Sequence, residues 1–192
     1  MADHWTRETI REALEGIGGH VEEPLTAYLG GGSALVVRGV KDVTSDIDLL
    51  VPSETALDRL EGAITDAGYG SILRRDVVDE AGSMRQFEDD HGRGIDIFDT
   101  QIGDGLVLSD GIERRSEAYL PREEFEVFLI SPEDIYLSKL VHSGRIKDMP
   151  DKNALMRHDL DMAVISDELA TQRELNDRDL PSLVMFGDSP EE

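Results

Sequence analysis

The chain of 192 residues has no cysteine, a single tryptophan and only 5% aromatic residues. The first absence excludes disulfides, thiolate zinc sites and a cysteine nucleophile. With 39% hydrophobic residues and so few rings, a core is expected to be built mainly from Val, Leu, Ile and Ala. No run of about twenty apolar residues is present, so no spanning helix is expected, and the start lacks a signal-peptide pattern. A soluble, cytoplasmic protein without a membrane partner is the expectation. Basic residues are scarce as well: 19 Lys and Arg stand against 42 Asp and Glu, a formal charge of -23. Such a surface does not attract bare nucleic acid or an anionic membrane.

What is present begins with that acidity. The carboxylates are spread along the chain rather than gathered in a tail, and lysine is rarer than arginine. This resembles the composition of proteins from salt-accumulating, haloarchaeal-type cells, where screening shortens self-repulsion to a few ångströms. The charge then reports habitat rather than partner.

One stretch organises the rest: residues 29–51, LGGGSALVVRGVKDVTSDIDLLV. An apolar run enters Gly30, Gly31 and Gly32, where the missing Cβ atoms allow positive φ and close approach to a ligand. The N–H groups of Ser33 and Ala34 would then open a short helix facing an anion. The stretch ends in a strand in which Asp46 and Asp48 project to one side and Ile47 and Leu49 to the other, into a core. Two adjacent carboxylates repel unless a cation lies between them, and such hard oxygen donors suit Mg²⁺ shared with substrate phosphates. Asp-x-Asp recurs at Asp159/Asp161 and Asp177/Asp179, as this composition makes inevitable. Only Asp46 and Asp48 lie in an apolar, β-branched run, where an unpaired charge is costly.

Gly31-Gly32-Ser33-Ala34-Leu35, Arg38 and Thr44-Ser45-Asp46-Ile47-Asp48-Leu49 together resemble the signature of the nucleotidyltransferase (polymerase β-like) superfamily. Within it the likeness is nearest to small AbiEii-type and related DUF6036-type proteins, over residues 28–163. The resemblance implies a third carboxylate on an adjacent strand, and Asp96 in Gly94-Ile95-Asp96-Ile97-Phe98-Asp99 occupies the matching position. Asp99, at the strand's end, is the competing candidate and fits a turn or cap. The phrase SPEDIYLSKL resembles the family's stretch whose lysine approaches nucleotide phosphates, which points to Lys139. A lysine in an apolar helix must otherwise reach solvent or meet an anion.

Periodicity supplies the remaining elements. Residues 6–17 read as an amphipathic helix with Ile10, Leu14 and Ile17 on one stripe, anchored by Trp5 and ended by Gly18-Gly19. Residues 24–29 form the first strand, and Ser53 caps a helix through Leu57, Leu60 and Ile64. Strands are expected at 71–78, 84–88 and 94–98, a loop and short helix over 101–122 with a brief strand at 106–108, and a last strand at 125–130. Ser131-Pro132 opens the Lys139 helix; further helices are expected over 151–165 and from Ser166 through Leu175. Arg114 and Arg115 read as surface charges, and His142 and His158 as structural.

The fold expected is therefore α/β (α+β): a mixed sheet of the nucleotidyltransferase type flanked by helices, with a C-terminal helical part. The division expected is a core over 1–130, a helical segment over 131–180 and a disordered tail over 181–192. The function implied is Mg²⁺-dependent transfer of a nucleoside monophosphate from a nucleoside triphosphate, ATP among the candidates, to a hydroxyl acceptor. Asp46, Asp48 and Asp96 would be the catalytic and metal-binding carboxylates, with Gly31, Gly32, Ser33 and Lys139 holding the nucleotide. The AbiEii likeness adds a toxin role, an RNA acceptor and an antitoxin or neighbouring protein as partners. Two other readings stand beside it: a silent nucleotide-binding regulatory or antitoxin-like module, and a pure interaction protein supported only by the acidic surface.

Overall fold

Helix α1 (Arg7–Gly18) starts where the sequence supplies both halves of a capping box: the Thr6 hydroxyl accepts from the Thr9 amide, and the Thr9 side chain accepts from the Thr6 amide. The structure, a computed structural model, describes residues 3–72, 84–101, 105–141, 148–175 and 180. The chain continues through β1 (Leu25–Leu29), α2 (Gly31–Val37), β2 (Asp46–Val51), α3 (Glu54–Asp66), β3 (Gly70–Ser71), β4 (Met84–Glu88) and β5 (Gly94–Asp99). It then forms α4 (Asp110–Arg115), β6 (Glu117–Pro121), β7 (Phe125–Leu129), α5 (Pro132–Val141), α6 (Met149–Leu155) and α7 (Met162–Leu175).

The strands make one mixed sheet in the order β3-β4-β5-β2-β1-β7-β6. Pairs β1/β7 and β2/β5 are parallel; β1/β2, β3/β4, β4/β5 and β6/β7 are antiparallel. Alternation gives the sheet two unlike faces. On one, Leu25, Ala27, Leu29, Ile47, Leu49, Val51, Ile95, Ile97, Phe125 and Val127 are all buried. Helix α3 lies against β1, β2 and β5, and α1 against α3 and α2. Each fully buried Leu or Ile there contributes about 1.5–3 kcal/mol of transfer free energy. The opposite face carries Asp46, Asp48 and Asp96, and the C-terminal helices gather beyond it.

Several expected elements differ. The segment 101–122 holds a strand, β6, that its charged, weakly alternating sequence concealed; it pairs with β7 through a register shift between Ala118 and Leu120. The expected strand at 106–108 reduces to a bridge between Gln101 and Val107. The single helix expected over 151–165 is two, because the Asp161 carboxylate accepts the Ala163 and Val164 amides and starts α7 afresh. Most of the strand expected at 71–78, and the 181–192 tail, fall outside the described residues.

Candidate active site

Register brings the predicted carboxylates together. In the parallel β2/β5 ladder Asp46 pairs with Gly94, Asp48 with Asp96 and Leu50 with Phe98. These side chains therefore share one face, and Asp99 faces the other way. On β4, Gln86 stands opposite Asp96 and donates its amide to Asp96 Oδ1 at 2.9 Å. The Ser45 hydroxyl donates to Asp46 Oδ2 at 2.7 Å. Glu88, exposed and opposite Gly94, extends the acidic row by one register step.

Two glycines make room for these carboxylates. Gly31 has φ +53, and a Cβ built on it would lie 2.7 Å from Asp48 Cγ and nearer still to Oδ2. At Gly94 such a Cβ would lie 2.5 Å from Asp46 Oδ1. Each carboxylate thus rests against bare backbone that any side chain would displace. Ser33 is fully buried; its hydroxyl donates to the Gly30 carbonyl at 2.8 Å and accepts the Asp48 amide at 3.2 Å. With Gly30 N–H bonded to the Asp48 carbonyl at 2.9 Å, the glycine turn and β2 are stitched into one unit. The Ser33 hydroxyl thus makes two hydrogen bonds within the fold, and with Ser33 buried the half-buried Gly31 and Gly32 are what the turn presents to a ligand.

Lys139, 9% exposed, meets anions as its apolar helix required: Asp148 at 3.1 Å and Asp151 at 2.9 Å, both supplied by α6. Asp148 stands at the N-cap of α6 yet makes no capping hydrogen bond. Asp151 also takes Lys41 at 3.1 Å. Burial disfavours the charged Lys139, but the hydrogen bond and charge of Asp151, joined by Asp148, outweigh it and hold its pKa above the ordinary lysine value. Burial likewise pushes Asp151 up, and the bonds and charges of Lys139 and Lys41 overcome it, leaving the carboxyl below its ordinary value. Lys41 Nζ lies 3.5 Å from the Cβ position of Gly32. Lys41 therefore borders the glycine turn, and Asp151 links Lys139 to it.

Arg115 is a correction to the surface reading. It lies between two buried carboxylates, Asp134 at 2.7 Å and Glu168 at 2.5 Å, and Ser131 and Ser109 complete the network. Its neighbour Arg114 is exposed. Arg38, part of the signature, bonds Glu117 and the Ile130 carbonyl at 3.0 Å, tying the end of α2 to β7. His158 is exposed, and His142, Arg145 and Lys147 lie outside the described residues.

Sequence reasoning missed Lys41, Asp148, Asp151 and Gln86 as neighbours of the site. Period-two alternation on β4 could have placed Gln86 on the Asp96 face; nothing local marks Lys41, whose partners are 110 residues away in the case of Asp151. Among the described residues no three metal-ligating side chains approach closely enough to enclose an ion by themselves. The donor set still suits a hard divalent cation: Asp46 and Asp48 on one strand, Asp96 beside them, and glycine cradles under two of the three. An apolar cleft lined by Gly30, Gly31, Leu50, Ile112, Ile135 and Ser138 continues the same face.

The family model described as nucleotidyl transferase AbiEii toxin, type IV toxin–antitoxin system, matches residues 12–186. No curated protein matches the chain. Among solved structures, ANT(2'')-Ia in complex with adenylyl-2''-tobramycin is similar with a TM-score of 0.56 and 16% identity, over 87% of this chain and 97% of that one. The lincosamide antibiotic adenylyltransferase LnuA, lincomycin-bound, gives 0.54 and 17% over 80% and 98%. TM1012 from Thermotoga maritima, assigned as a nucleotidyltransferase, gives 0.53 and 16% over 80% and 96%. At these identities the structures establish a shared fold.

Proposed function

Because the chain belongs to the AbiEii nucleotidyl transferase family, we propose that it moves a nucleoside monophosphate from a nucleoside triphosphate to an acceptor hydroxyl at the Asp46/Asp48/Asp96 face. The observation that carries this is the register: Asp48 opposite Asp96 on parallel strands, with Asp46 one step before, over the bare backbone of Gly31 and Gly94. Such chemistry depends on positioning and charge neutralisation more than on covalent participation by the protein.

Asp46 and Asp48 would hold Mg²⁺, and Asp96 would complete the set. When bound, the cation neutralises phosphate charge and polarises the α-phosphorus. The acceptor oxygen forms a bond to that phosphorus as the bond to the bridging oxygen of pyrophosphate breaks. Asp96, oriented by Gln86, takes the hydroxyl proton. Backbone of Gly31 and Gly32 lines the triphosphate, held in place by the buried Ser33 hydroxyl, with Lys41 and Lys139 supplying cations from the Asp151 cluster. On this reading 1–130 is the catalytic core, 131–180 is the helical segment that brings the lysine, and 181–192 is a tail.

The family's type IV toxin–antitoxin assignment implies a toxin with an antitoxin partner. ATP as donor and RNA as acceptor are the specific members of this reading, and the acidic composition supports a halophilic, cytoplasmic setting as part of it. The test is incubation of the full chain with α-labelled nucleoside triphosphate, Mg²⁺ and a host lysate in molar potassium chloride, where the charge of -23 is screened. Label is expected on one discrete RNA, protein or small molecule, and none from γ-labelled donor. Nucleotide binding without transfer would favour the silent module, and no binding at all the interaction protein.

A further inference from the structure

Trp5 lies 89 residues from its hydrogen-bond partner, and that partner is the glycine beneath Asp46. The indole N–H donates to the Gly94 carbonyl at 2.9 Å. The backbone of Trp5 makes a two-way antiparallel bridge with Thr44, N–H to carbonyl at 2.8 Å and back at 3.0 Å. The ring is fully buried beneath the Arg93 guanidinium, 4.1 Å from its centroid, and Arg93 is itself fixed by Asp89 at 2.7 Å. Both ends of this clamp touch the active-site walls. Gly94 is the bare backbone on which the Asp46 carboxylate rests, and its amide donates to the Ser45 carbonyl at 3.2 Å. Thr44 presents its hydroxyl 2.5 Å from the Cβ position of Gly32, and precedes the Ser45 that donates to Asp46.

We propose that Trp5 is a positioning residue for Asp46: it locks the segment before β2 and the start of β5 to each other, and so sets where the metal-binding carboxylate stands. This rests on the assignment of Asp46 and Asp48 as metal ligands. A packing anchor for α1 would need only the ring; a clamp on the site needs the N–H as well. Groups that support a ligand from outside typically change metal affinity 10–100-fold when removed. The clamp thus carries to the site from a residue that precedes the entire sheet.

The experiment titrates Mn²⁺ alone into the full chain in molar potassium chloride, following free Mn²⁺ by electron paramagnetic resonance. Wild type is compared with Trp5→Phe, Asp46→Asn and Leu14→Ala, the last a buried α1 residue that tests loss of packing without loss of the clamp. Because the chain has one tryptophan, replacing it biosynthetically with the benzothienyl analogue, sulfur in place of N–H, removes the donor while keeping the ring. That substitution decides the matter if Trp5→Phe does not fold. The expected result is a roughly tenfold loss of Mn²⁺ affinity for Trp5→Phe and for the sulfur analogue, a larger loss for Asp46→Asn and none for folded Leu14→Ala. Wild-type affinity in the sulfur analogue overturns the proposal and leaves the metal assignment standing, as does an equal loss in Leu14→Ala. Absence of Mn²⁺ binding by wild type overturns both.

Discussion

Replacing Gly31 with alanine separates two costs that usually arrive together. At φ +53 an L-residue pays about 1–2 kcal/mol relative to glycine. The new methyl also falls 2.7 Å from Asp48 Cγ and 3.2 Å from its Cβ, so turning the carboxylate tip aside does not relieve the clash. Asp48 or the turn itself must move, and the Ser33 hydroxyl bridge between them strains with it. Gly39 provides the control: φ is +75, yet nothing lies within 4 Å of its Cβ position. Gly39→Ala therefore carries the backbone cost alone. Gly94→Ala carries the reverse, a contact 2.5 Å from Asp46 Oδ1 with the carboxyl carbon at 3.4 Å, so a swing of the tip suffices.

The expected pattern is specific. Gly39→Ala loses about 1–2 kcal/mol, near 2–8 °C in melting temperature at this size, and binds Mg-ATP like wild type. Gly31→Ala loses at least as much stability and most of its Mg-ATP affinity; Gly94→Ala loses little stability and part of the affinity. Melting by circular dichroism and calorimetric titration in molar potassium chloride measure both quantities. Wild-type affinity in folded Gly31→Ala would refute the claim that this glycine exists to seat Asp48.

Asp46→Asn with Asp48→Asn is expected to leave a folded protein that no longer binds Mg-ATP, and calorimetry in which affinity persists would remove both residues from the metal site. Lys139→Met strands Asp148 and leaves Asp151 to Lys41 alone, at a cost of about 3–5 kcal/mol for breaking a largely buried pair; an unchanged denaturation midpoint would contradict the cluster. Asp151 has a depressed folded pKa, so its contribution is present above the ordinary carboxylate value and is lost as pH falls through the folded one. Stability measured from pH 6 down to pH 2 should fall less steeply in Asp151→Asn than in wild type. Arg115→Met leaves Asp134 and Glu168 unpaired at 1% and 2% exposure and should cost several kcal/mol, about 3–5, whereas exposed Arg114→Ala should stay within about 0.5 kcal/mol; equal effects would undo the distinction.

Where the sequence spoke clearly, a local rule sufficed. Alternation placed Asp46 and Asp48 away from Ile47 and Leu49, and Ser53 caps α3 because a side-chain oxygen before an amphipathic run takes an orphan amide; Thr6, read as the first helical residue, is instead the cap of α1. The family resemblance singles out Asp96, and register sets it opposite Asp48. What stayed hidden depends on contacts across the chain. Arg115 reads like Arg114 until α7 brings Glu168 to it, 53 residues later. Gly31 was read as room for phosphate; the structure gives it first to Asp48. The break between α6 and α7 escaped because Asp161 looked like one more acid in an acidic chain, when its carboxylate caps a helix.

The charge distribution carries a consequence for the acceptor. Asp46, Asp48, Asp96 and Glu88 share the open face of the sheet, whereas several cations turn inward: Arg115 between two carboxylates, Lys41 and Lys139 on Asp151, Arg38 on the Ile130 carbonyl. Among the described residues, a polyanion approaching that face meets these four carboxylates, while the four cations named are engaged with protein oxygens. Ordinary nucleic-acid binding weakens with salt because protein cations release counterions from phosphate. With a formal charge of -23, repulsion is expected to outweigh that release, and raising the salt to about 1 M shrinks its reach to about 3 Å. Transfer to RNA should therefore accelerate with potassium chloride over the range in which melting shows the protein already folded, while transfer to a small uncharged acceptor should hardly change. Measuring initial rates of α-label transfer from 0.2 to 3 M potassium chloride distinguishes the two. An RNA-directed rate that falls steeply across that range would mean that cations outside this buried set line the acceptor path, and the repulsion argument would fail.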